Sequence, residues 1–128
     1  MKSEVTVDYL MAVHRFAIES TRTDEIWLSN AVRSDAGLYF TCEKISVTTN
    51  MYERAAIGLY NTACNHPFME GNKRTALLLC ENLLDDDVFI IAEEKKIFEF
   101  VIEVACGKHE IDETEEWLKN NTGKLLPE

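Results

Sequence analysis

Residues 66–76 read HPFMEGNKRTA and pass directly into the apolar run LLLCENLL at residues 77–84. Pro67 and Gly71 frame a tight turn, because proline disfavours helical geometry in the preceding residue and glycine adopts conformations that other residues avoid. One helix therefore ends before Pro67, and a second begins near Gly71. The second helix is apolar on nearly every face, so we expect it to be the central helix, wrapped by the others.

The segments on both sides of this turn have the apolar period of amphipathic helices. They are VTVDYLMAVHRFAIES at 5–20, TDEIWLSNAV at 23–32, TNMYERAAIGLYNTACN at 49–65, KKIFEFVIEVACGK at 95–108 and DETEEWLKNNTG at 112–123. Predicted helix caps are Thr23, Asn50 paired with Glu53, and Asp112 paired with Glu115. The segment VFIIAEE at 88–94 is predicted as a short strand or an extended connection.

The stretch RSDAGLYFTCEKISVT at 33–48 interrupts this helical pattern. Gly37 disfavours a helix, and the residues after it favour β structure. We predict a loop or a short hairpin here. An irregular segment of this length in a helical chain is more often functional than incidental.

The size and composition indicate one all-α domain over residues 1–128. The chain has 128 residues, of which 46% are hydrophobic and 28% charged, as expected of a protein with a single shared core. We therefore predict a compact bundle of about five to seven helices with one small β or irregular element.

The net charge of −10 opposes binding to nucleic acid or to an anionic membrane surface. No apolar run is long enough to span a bilayer, and the first residues lack the pattern of a signal peptide, so a cytoplasmic location is predicted. The four cysteines form no CxxC pair and are expected to be buried apolar residues instead of metal ligands.

The start of the second helix is a candidate anion site. The backbone N–H groups of Gly71, Asn72, Lys73 and Arg74 have no partner within the helix and face the turn. Two basic residues at this end oppose the helix dipole, whose N-terminal end is positive, unless an anion normally lies there. The run is not a Walker A motif, which requires G-x-x-x-x-G-K-[ST].

The acidic and aromatic residues of the turn extend this hypothesis. A Mg²⁺ ion between Glu70 and a polyphosphate would explain a carboxylate next to an anion site. His66 could take a proton from an attacking hydroxyl, since histidine exchanges protons near neutral pH. Phe68 is expected to point inward and anchor the loop.

An ordinary helix–turn–helix connection fits the same residues, with His66 ending one helix and Asn72 capping the next. Composition alone leaves both interpretations open. His14 lies on or near the apolar stripe of the first helix, where a hydrogen-bonded core or groove histidine is favoured over a catalytic one.

The run HPFMEGNKRTA closely resembles the signature of the Fic/Doc family (filamentation induced by cAMP, death on curing), written HxFx[DE]GN[GK]R. The resemblance extends in helix order over nearly the whole chain. It implies an all-α Fic fold in which a nucleotide is used to modify a protein hydroxyl. The implied roles are general base for His66, Mg²⁺ ligand for Glu70, anion hole for Gly71 and Asn72, and phosphate contacts for Lys73 and Arg74.

The loop at residues 37–47 resembles the family's flap, which aligns the target segment by strand-like pairing. Relatives that transfer AMP usually read GNGRxxR, whereas this chain has Lys73 and Leu77 at the second glycine and the second arginine. That pattern is similar to the Doc toxin branch, which binds the nucleotide in the reverse sense. The resemblance implies a protein kinase that uses ATP and Mg²⁺, with elongation factor Tu as the target in relatives.

The family's inhibitory element, [ST]xxxE[GN], is matched only in part. Thr49 and Glu53 have the right separation, but Arg54 follows them. We therefore expect a separate antitoxin protein, as in toxin–antitoxin pairs. The alternatives are AMP transfer to a protein hydroxyl, and a catalytically silent Fic-like module that binds partners through its acidic surface.

Overall fold

The computed structural model describes residues 4–20 and 32–124, and this part of the chain folds into six helices and two short strands. Their bounds are α1 Val7–Glu19, α2 Asp35–Val47, α3 Met51–Asn65, α4 Asn72–Leu83, β1 Val88–Ile90, α5 Glu94–Ala105, α6 Ile111–Asn120 and β2 Thr122–Lys124. The strands pair antiparallel, with Val88 opposite Lys124. The predicted all-α bundle with one small β element is therefore confirmed. The helix predicted at 23–32 lies almost wholly outside the described residues.

The prediction of a loop or hairpin at 33–48 is wrong, because this stretch forms α2. Ser34 caps the helix, and its hydroxyl accepts a hydrogen bond of 3.0 Å from the N–H of Gly37. Gly37 therefore sits in the first turn, where it does not break the helix. The flap proposed for residues 37–47 is wrong for the same reason.

The central helix is α3, not α4 as the sequence predicts. It packs against α2, α4, α5 and α6. The start of α4, by contrast, exposes Lys73 and Arg74, and its Leu77 and Leu78 are only half-buried. At Gly58 of α3, a Cβ atom would lie 2.9 Å from the Leu83 side chain of α4, so the missing side chain allows these two helices to approach closely.

The core has two clusters that share α3 and α4. One lies toward α5 and α6 and contains Leu59, Cys80 and Val104; the other lies toward α1 and α2 and contains Leu10, Ile45 and Phe68. Helix α4 contributes to both clusters, so it is packed from two sides just after its first turn.

The predicted cap is confirmed at the start of α3 and is wrong at the start of α6. The Asn50 side chain caps α3, accepting a 2.9 Å hydrogen bond from the Glu53 N–H. The cap of α6 is Glu110, whose N–H donates to the Glu113 carboxylate over 3.0 Å, so the predicted pair of Asp112 with Glu115 is wrong.

The four cysteines are free, and they differ in exposure. Cys42 and Cys80 are buried, Cys64 is half-buried and Cys106 is exposed, so the prediction of buried residues holds for two of them. Burial raises the pKa of the Cys42 thiol to about 11 and raises that of Cys80 further. None of the described helices combines the length and apolar character that a membrane-spanning segment requires.

Candidate active site

The turn between α3 and α4 holds all the residues that the sequence singles out. Helix α3 ends at Asn65, and His66 caps it in the left-handed conformation, with φ 50° and ψ 57°. Histidine tolerates this region better than most residues with a side chain, and a left-handed cap is a common way to end a helix. The reversal leaves the His66 side chain exposed.

The imidazole of His66 is oriented by its own backbone. Its Nδ1 lies 2.9 Å from the carbonyl oxygen of Cys64. A carbonyl oxygen only accepts hydrogen bonds, so Nδ1 carries the proton and the neutral ring keeps a lone pair on Nε2. The Cys64 carbonyl thus selects the tautomer of the neutral ring that has its lone pair on Nε2.

Arg33 holds the end of α3 in place. Its guanidinium donates from Nε to the His66 carbonyl over 2.8 Å and from a terminal nitrogen to the Asn65 carbonyl over 3.0 Å. The backbone N–H groups of Arg33 and Ser34 both donate to the Pro67 carbonyl. Carbonyls at a helix end lack intrahelical partners, and a cation suits this negative end of the dipole.

Phe68 is fully buried, in agreement with its predicted inward orientation. Its ring stacks on the imidazole of His14, with ring centres 3.7 Å apart and an interplanar angle of 3°. The buried His14 also donates from Nε2 to the Glu70 carbonyl over 3.1 Å. Helix α1 therefore fixes the middle of the turn through one side chain.

Burial lowers the pKa of His14 below its ordinary value, although the Glu70 carbonyl and carboxylate act in the opposite direction. A neutral ring is consistent with the geometry, because Nδ1 has no hydrogen-bond partner within the described part of the chain. His14 is the hydrogen-bonded core histidine that the sequence predicts.

The side chain of Asn72 closes the turn. Its Oδ1 accepts from the Phe68 N–H over 3.0 Å, and its Nδ2 donates to the Phe68 carbonyl over 2.9 Å. Asn72 is buried and is the first residue of α4, so it is not the cap that the helix–turn–helix interpretation requires. Only its backbone N–H remains for an anion.

Gly71 is the N-cap of α4, and no other residue type fits there. Its φ of 77° lies in the left-handed region, and an added Cβ would come within 2.5 Å of the Ile18 side chain. Glycine has no side chain, so nothing from the cap position covers the first N–H groups of the helix. The first intrahelical bond runs from the Thr75 N–H to the Gly71 carbonyl.

The open start of α4 carries two exposed bases. Lys73 and Arg74 form no ion pair with any carboxylate in residues 4–20 or 32–124. The N–H groups of residues 72–74, the dipole of α4 and two cations thus converge on one surface. This is the electrostatic environment of an anion site.

Glu70 lies half-buried beside this surface, and its carboxylate makes no hydrogen bond or ion pair within the described ranges. No group of three or more His, Cys, Asp or Glu that could hold a metal occurs there either. A divalent cation at Glu70 would therefore complete its shell with water and with oxygens of a bound ligand. Mg²⁺ binds in this manner in sites for nucleoside phosphates.

A groove of about 240 Å³ continues from the two bases along the surface between α4 and α5. Beyond Lys73 and Arg74, its lining is apolar: Leu77, Phe98, Val101 and Ile102. The half-exposed ring of Phe98 offers a face for stacking. A ligand with an anionic end and a flat apolar end would fit the two parts together.

Two residues that support the site, Arg33 and His14, are not assigned to it by sequence reasoning. Both act on backbone carbonyls of the turn from distant segments, so their roles depend on the tertiary fold. The inward-facing position of His14 on α1 is the one sequence signal that indicates a polar contact with the core.

A mostly helical bundle that carries a histidine and an uncapped, cationic helix start on one short stretch has the features of an anion-binding protein. A model described as the Fic/DOC family matches residues 4–84, which include α1 to α4 and the whole turn. The match covers more than half of the chain, so this chain belongs to the Fic/DOC family. It is a transferase family whose members use nucleoside triphosphates to modify proteins. No curated protein matches the chain.

Proposed function

We propose that this protein transfers the γ-phosphate of ATP to a hydroxyl of a protein target, with His66 as the general base. One observation carries the proposal: the bond from Nδ1 to the Cys64 carbonyl places the lone pair of the neutral His66 ring on Nε2, on the turn that leads into α4. A base and an anion site on one short stretch, residues 66–74, are what hydroxyl attack on a phosphate requires.

In the proposed step, the target hydroxyl oxygen attacks the γ-phosphorus and forms a new P–O bond. The P–O bond to ADP breaks, and ADP leaves with that electron pair. The hydroxyl proton passes to Nε2 of His66. Arg33 has a positioning role, because its two bonds to the Asn65 and His66 carbonyls fix the direction in which the imidazole points.

The phosphates would lie at the open start of α4. Backbone N–H groups there, together with Lys73 and Arg74, would neutralise the nucleotide's negative charge and the charge that spreads over the transferring group. Glu70 would hold Mg²⁺, whose positive charge would offset the negative charge of the phosphates. The carboxylate without a partner in the described residues and the two exposed cations support this assignment.

The groove between α4 and α5 favours phosphate transfer over AMP transfer. Leu77 lines it at the position where AMP-transferring relatives carry their second arginine, so this end of the site is apolar. A nucleoside suits an apolar groove better than a triphosphate end does. With the nucleoside beside Leu77 and Phe98, the chain of phosphates would run toward His66, with the γ-phosphate foremost.

The proposal is tested by incubating the purified protein with Mg²⁺ and with ATP that is labelled at either the α- or the γ-phosphate. We expect protein-bound label from γ-labelled ATP only, with elongation factor Tu as the first target to examine. Label from the α position would instead establish AMP transfer. The double variant Lys73→Gly, Leu77→Arg introduces the pattern GNGRxxR of AMP-transferring relatives. It should therefore lose transfer of the γ-label.

A silent binding module is the remaining alternative, and calorimetry separates it from an enzyme. We expect Mg²⁺-dependent ATP binding that is weakened by Arg74→Ala. Glu116→Ala, which removes an exposed charge on α6, serves as the control and should bind as the original protein does. Absence of ATP binding in the folded protein would support the silent module.

We also propose that inhibition, where it occurs, comes from a separate antitoxin protein. Glu53, the acid of the partial inhibitory match, lies in the first turn of α3, twelve residues from Asn65. At 1.5 Å per residue this is about 18 Å from the turn that holds His66. Within the described residues, Glu53 is therefore too far away to reach the anion site.

A further inference from the structure

A second groove lies between the start of α1 and helix α2. It has a volume of about 540 Å³ and is formed by residues 4–8, before and at the start of α1, and by residues of α2 from Tyr39 to Val47. On α1, Asp8 is ten residues, or about 15 Å, from Ile18, which lies near Gly71. On α2 the groove comes closer to the turn, because Tyr39 is two residues from Gly37, which lies near Pro67.

The floor of this groove exposes large apolar side chains. Tyr39 is 64% exposed and Val47 is 72% exposed, and both line the groove together with the half-buried Val7. The opposite face of α2 is already packed in the core through Leu38 and Ile45. Tyr39 and Val47 therefore face solvent, whereas Val7 also packs against the core.

The rim of the groove is acidic. Glu4, Asp8 and Glu43 line it, and none of them forms an ion pair with any residue of the described ranges. Among the residues that the structure describes, no lysine or arginine lines the groove. Three unpaired carboxylates around an apolar floor favour a ligand that is basic at its edges and apolar in the middle.

The backbone at this groove is not available for strand pairing. The Ser46 hydroxyl accepts from the Val5 N–H over 2.9 Å and donates to the Val5 carbonyl over 3.2 Å. The Thr6 carbonyl accepts from the Leu10 N–H. An extended peptide would find few free backbone partners, so a ligand must bind through its side chains, as an amphipathic helix does.

We propose that this groove binds an amphipathic helix of a partner protein that carries lysine or arginine on both sides of an apolar stripe. A second copy of this chain is a poor occupant, because a symmetric contact would bring the two sets of carboxylates together. An anionic membrane surface is repelled by the same charges. Neither His66 nor Lys73 lines the groove, so we expect the bound helix to leave the active site open.

Fluorescence anisotropy with a synthetic helical peptide, leucine on one face and lysine on the other, tests this proposal. We expect saturable binding that weakens as salt increases. Glu43→Lys should weaken it by about tenfold, because it replaces an attractive rim charge with a repulsive one. Tyr39→Ser should weaken it by a similar factor through loss of the apolar contact.

Matched controls separate this groove from the general acidity of the chain. Glu116→Lys makes the same charge change at an exposed position of α6, and Phe16→Ser removes an aromatic ring that is 63% exposed, elsewhere on α1. Both should leave peptide affinity close to that of the unchanged protein. Thermal melts of all four variants establish that each is folded.

Four results would overturn the proposal. One is equal binding of a scrambled peptide with the same composition but no apolar face. Another is an equal loss of affinity in Glu116→Lys and Glu43→Lys. The third is competition between the peptide and ATP, which would place the peptide at the active site. A concentration-dependent dimer in sedimentation experiments, abolished by Tyr39→Ser, would also contradict it by making a second copy the occupant.

Discussion

Helices α4 and α6 begin in opposite ways. At α6 three acidic residues satisfy the start of the helix: the Glu113 carboxylate accepts from the Glu110 N–H, and the Asp112 carboxylate accepts from the Glu113 N–H. At α4 the cap is Gly71, no side chain covers the N–H groups, and two bases follow. The dipole is complemented at α6 and opposed at α4.

A histidine precedes each of these helix starts. As with the helix starts themselves, the histidine before α6 has carboxylate partners and the one before α4 does not. His109 has a carboxylate at each ring nitrogen, with Glu103 at 2.8 Å from Nε2 and Glu113 at 3.7 Å from Nδ1. His66 has one backbone bond and a free Nε2. The arrangement at α6 stabilises the fold, whereas the arrangement at α4 leaves donors, cations and a base unsatisfied for a ligand.

The largest contrast is expected between alanine variants of the two histidines. His66→Ala should reduce phosphate transfer by about 10²- to 10⁴-fold, the usual contribution of a general base, and lower the free energy of unfolding by no more than about 1 kcal/mol through the lost bond to the Cys64 carbonyl. His109→Ala should leave transfer intact and reduce the free energy of unfolding by about 1 kcal/mol through its lost carboxylate contacts. Single-turnover kinetics and urea denaturation measure the two effects.

This contrast would fail if purified His66→Ala still moved γ-phosphate to protein at the original rate. It would fail equally if His109→Ala were the inactive variant while remaining folded.

Charge reversal exchanges the properties of the two helix starts and should give the next largest effect. Lys73→Glu places a carboxylate at the start of α4, so transfer should fall about a hundredfold as phosphate stabilisation is lost. The same change suits the helix dipole and should raise the free energy of unfolding by about 0.3–1 kcal/mol. A loss of both activity and stability would contradict the assignment of these cations to a ligand.

Glu113→Lys is the matched reversal at α6. It removes a cap interaction and opposes the dipole, so the free energy of unfolding should fall by about 1 kcal/mol with transfer unchanged. Denaturation curves and the γ-label assay on the same preparations provide the measurement.

The smallest expected effect concerns pH and the histidine beneath α4. Burial lowers the pKa of His14, so the unfolded chain binds this proton at a higher pH than the folded chain does. His14 therefore contributes its full stability above its ordinary pKa of about 6.5, and that contribution is lost as the pH falls below this value. Between about pH 7.5 and 5.5 the free energy of unfolding of the unchanged protein should therefore fall by more than that of His14→Gln does.

Glutamine keeps a donor for the Glu70 carbonyl but does not titrate, so comparison of the two pH profiles isolates the imidazole. Parallel profiles would show that His14 is protonated equally in the folded and unfolded chains.

Much of the fold could be predicted from the sequence because the period of its helices is clear. The exception, α2, carries apolar residues on both faces: Leu38 and Ile45 face the core, whereas Tyr39 and Val47 face solvent. Its sequence therefore shows no single apolar stripe. Gly37 suggests the end of a helix unless the Ser34 cap, which places Gly37 in the first turn of α2, is known. The central position of α3 is also hidden, since its buried face includes small and polar residues such as Ala55 and Asn61.

The candidate site could be located from the sequence, because its residues are contiguous. The role of each side chain within the site could not be predicted in the same way. Asn72 is predicted to line an anion hole, yet its side chain is occupied by the Phe68 backbone. Two supporting contacts come from distant parts of the chain. Arg33 contacts His66, 33 positions later, and His14 contacts Glu70, 56 positions later. Such pairings follow from the packing of α1 and α2 against the turn.

The paired bonds of Asn72 to Phe68 have a consequence for the thermodynamics of ligand binding. They close a five-residue ring, and stacking of Phe68 on His14 locks that ring to the bundle before any ligand arrives. The loss of loop entropy is thus part of folding and is not repeated at each encounter with a ligand. Association should accordingly be fast and show little of the unfavourable ordering entropy that a mobile phosphate loop brings to binding.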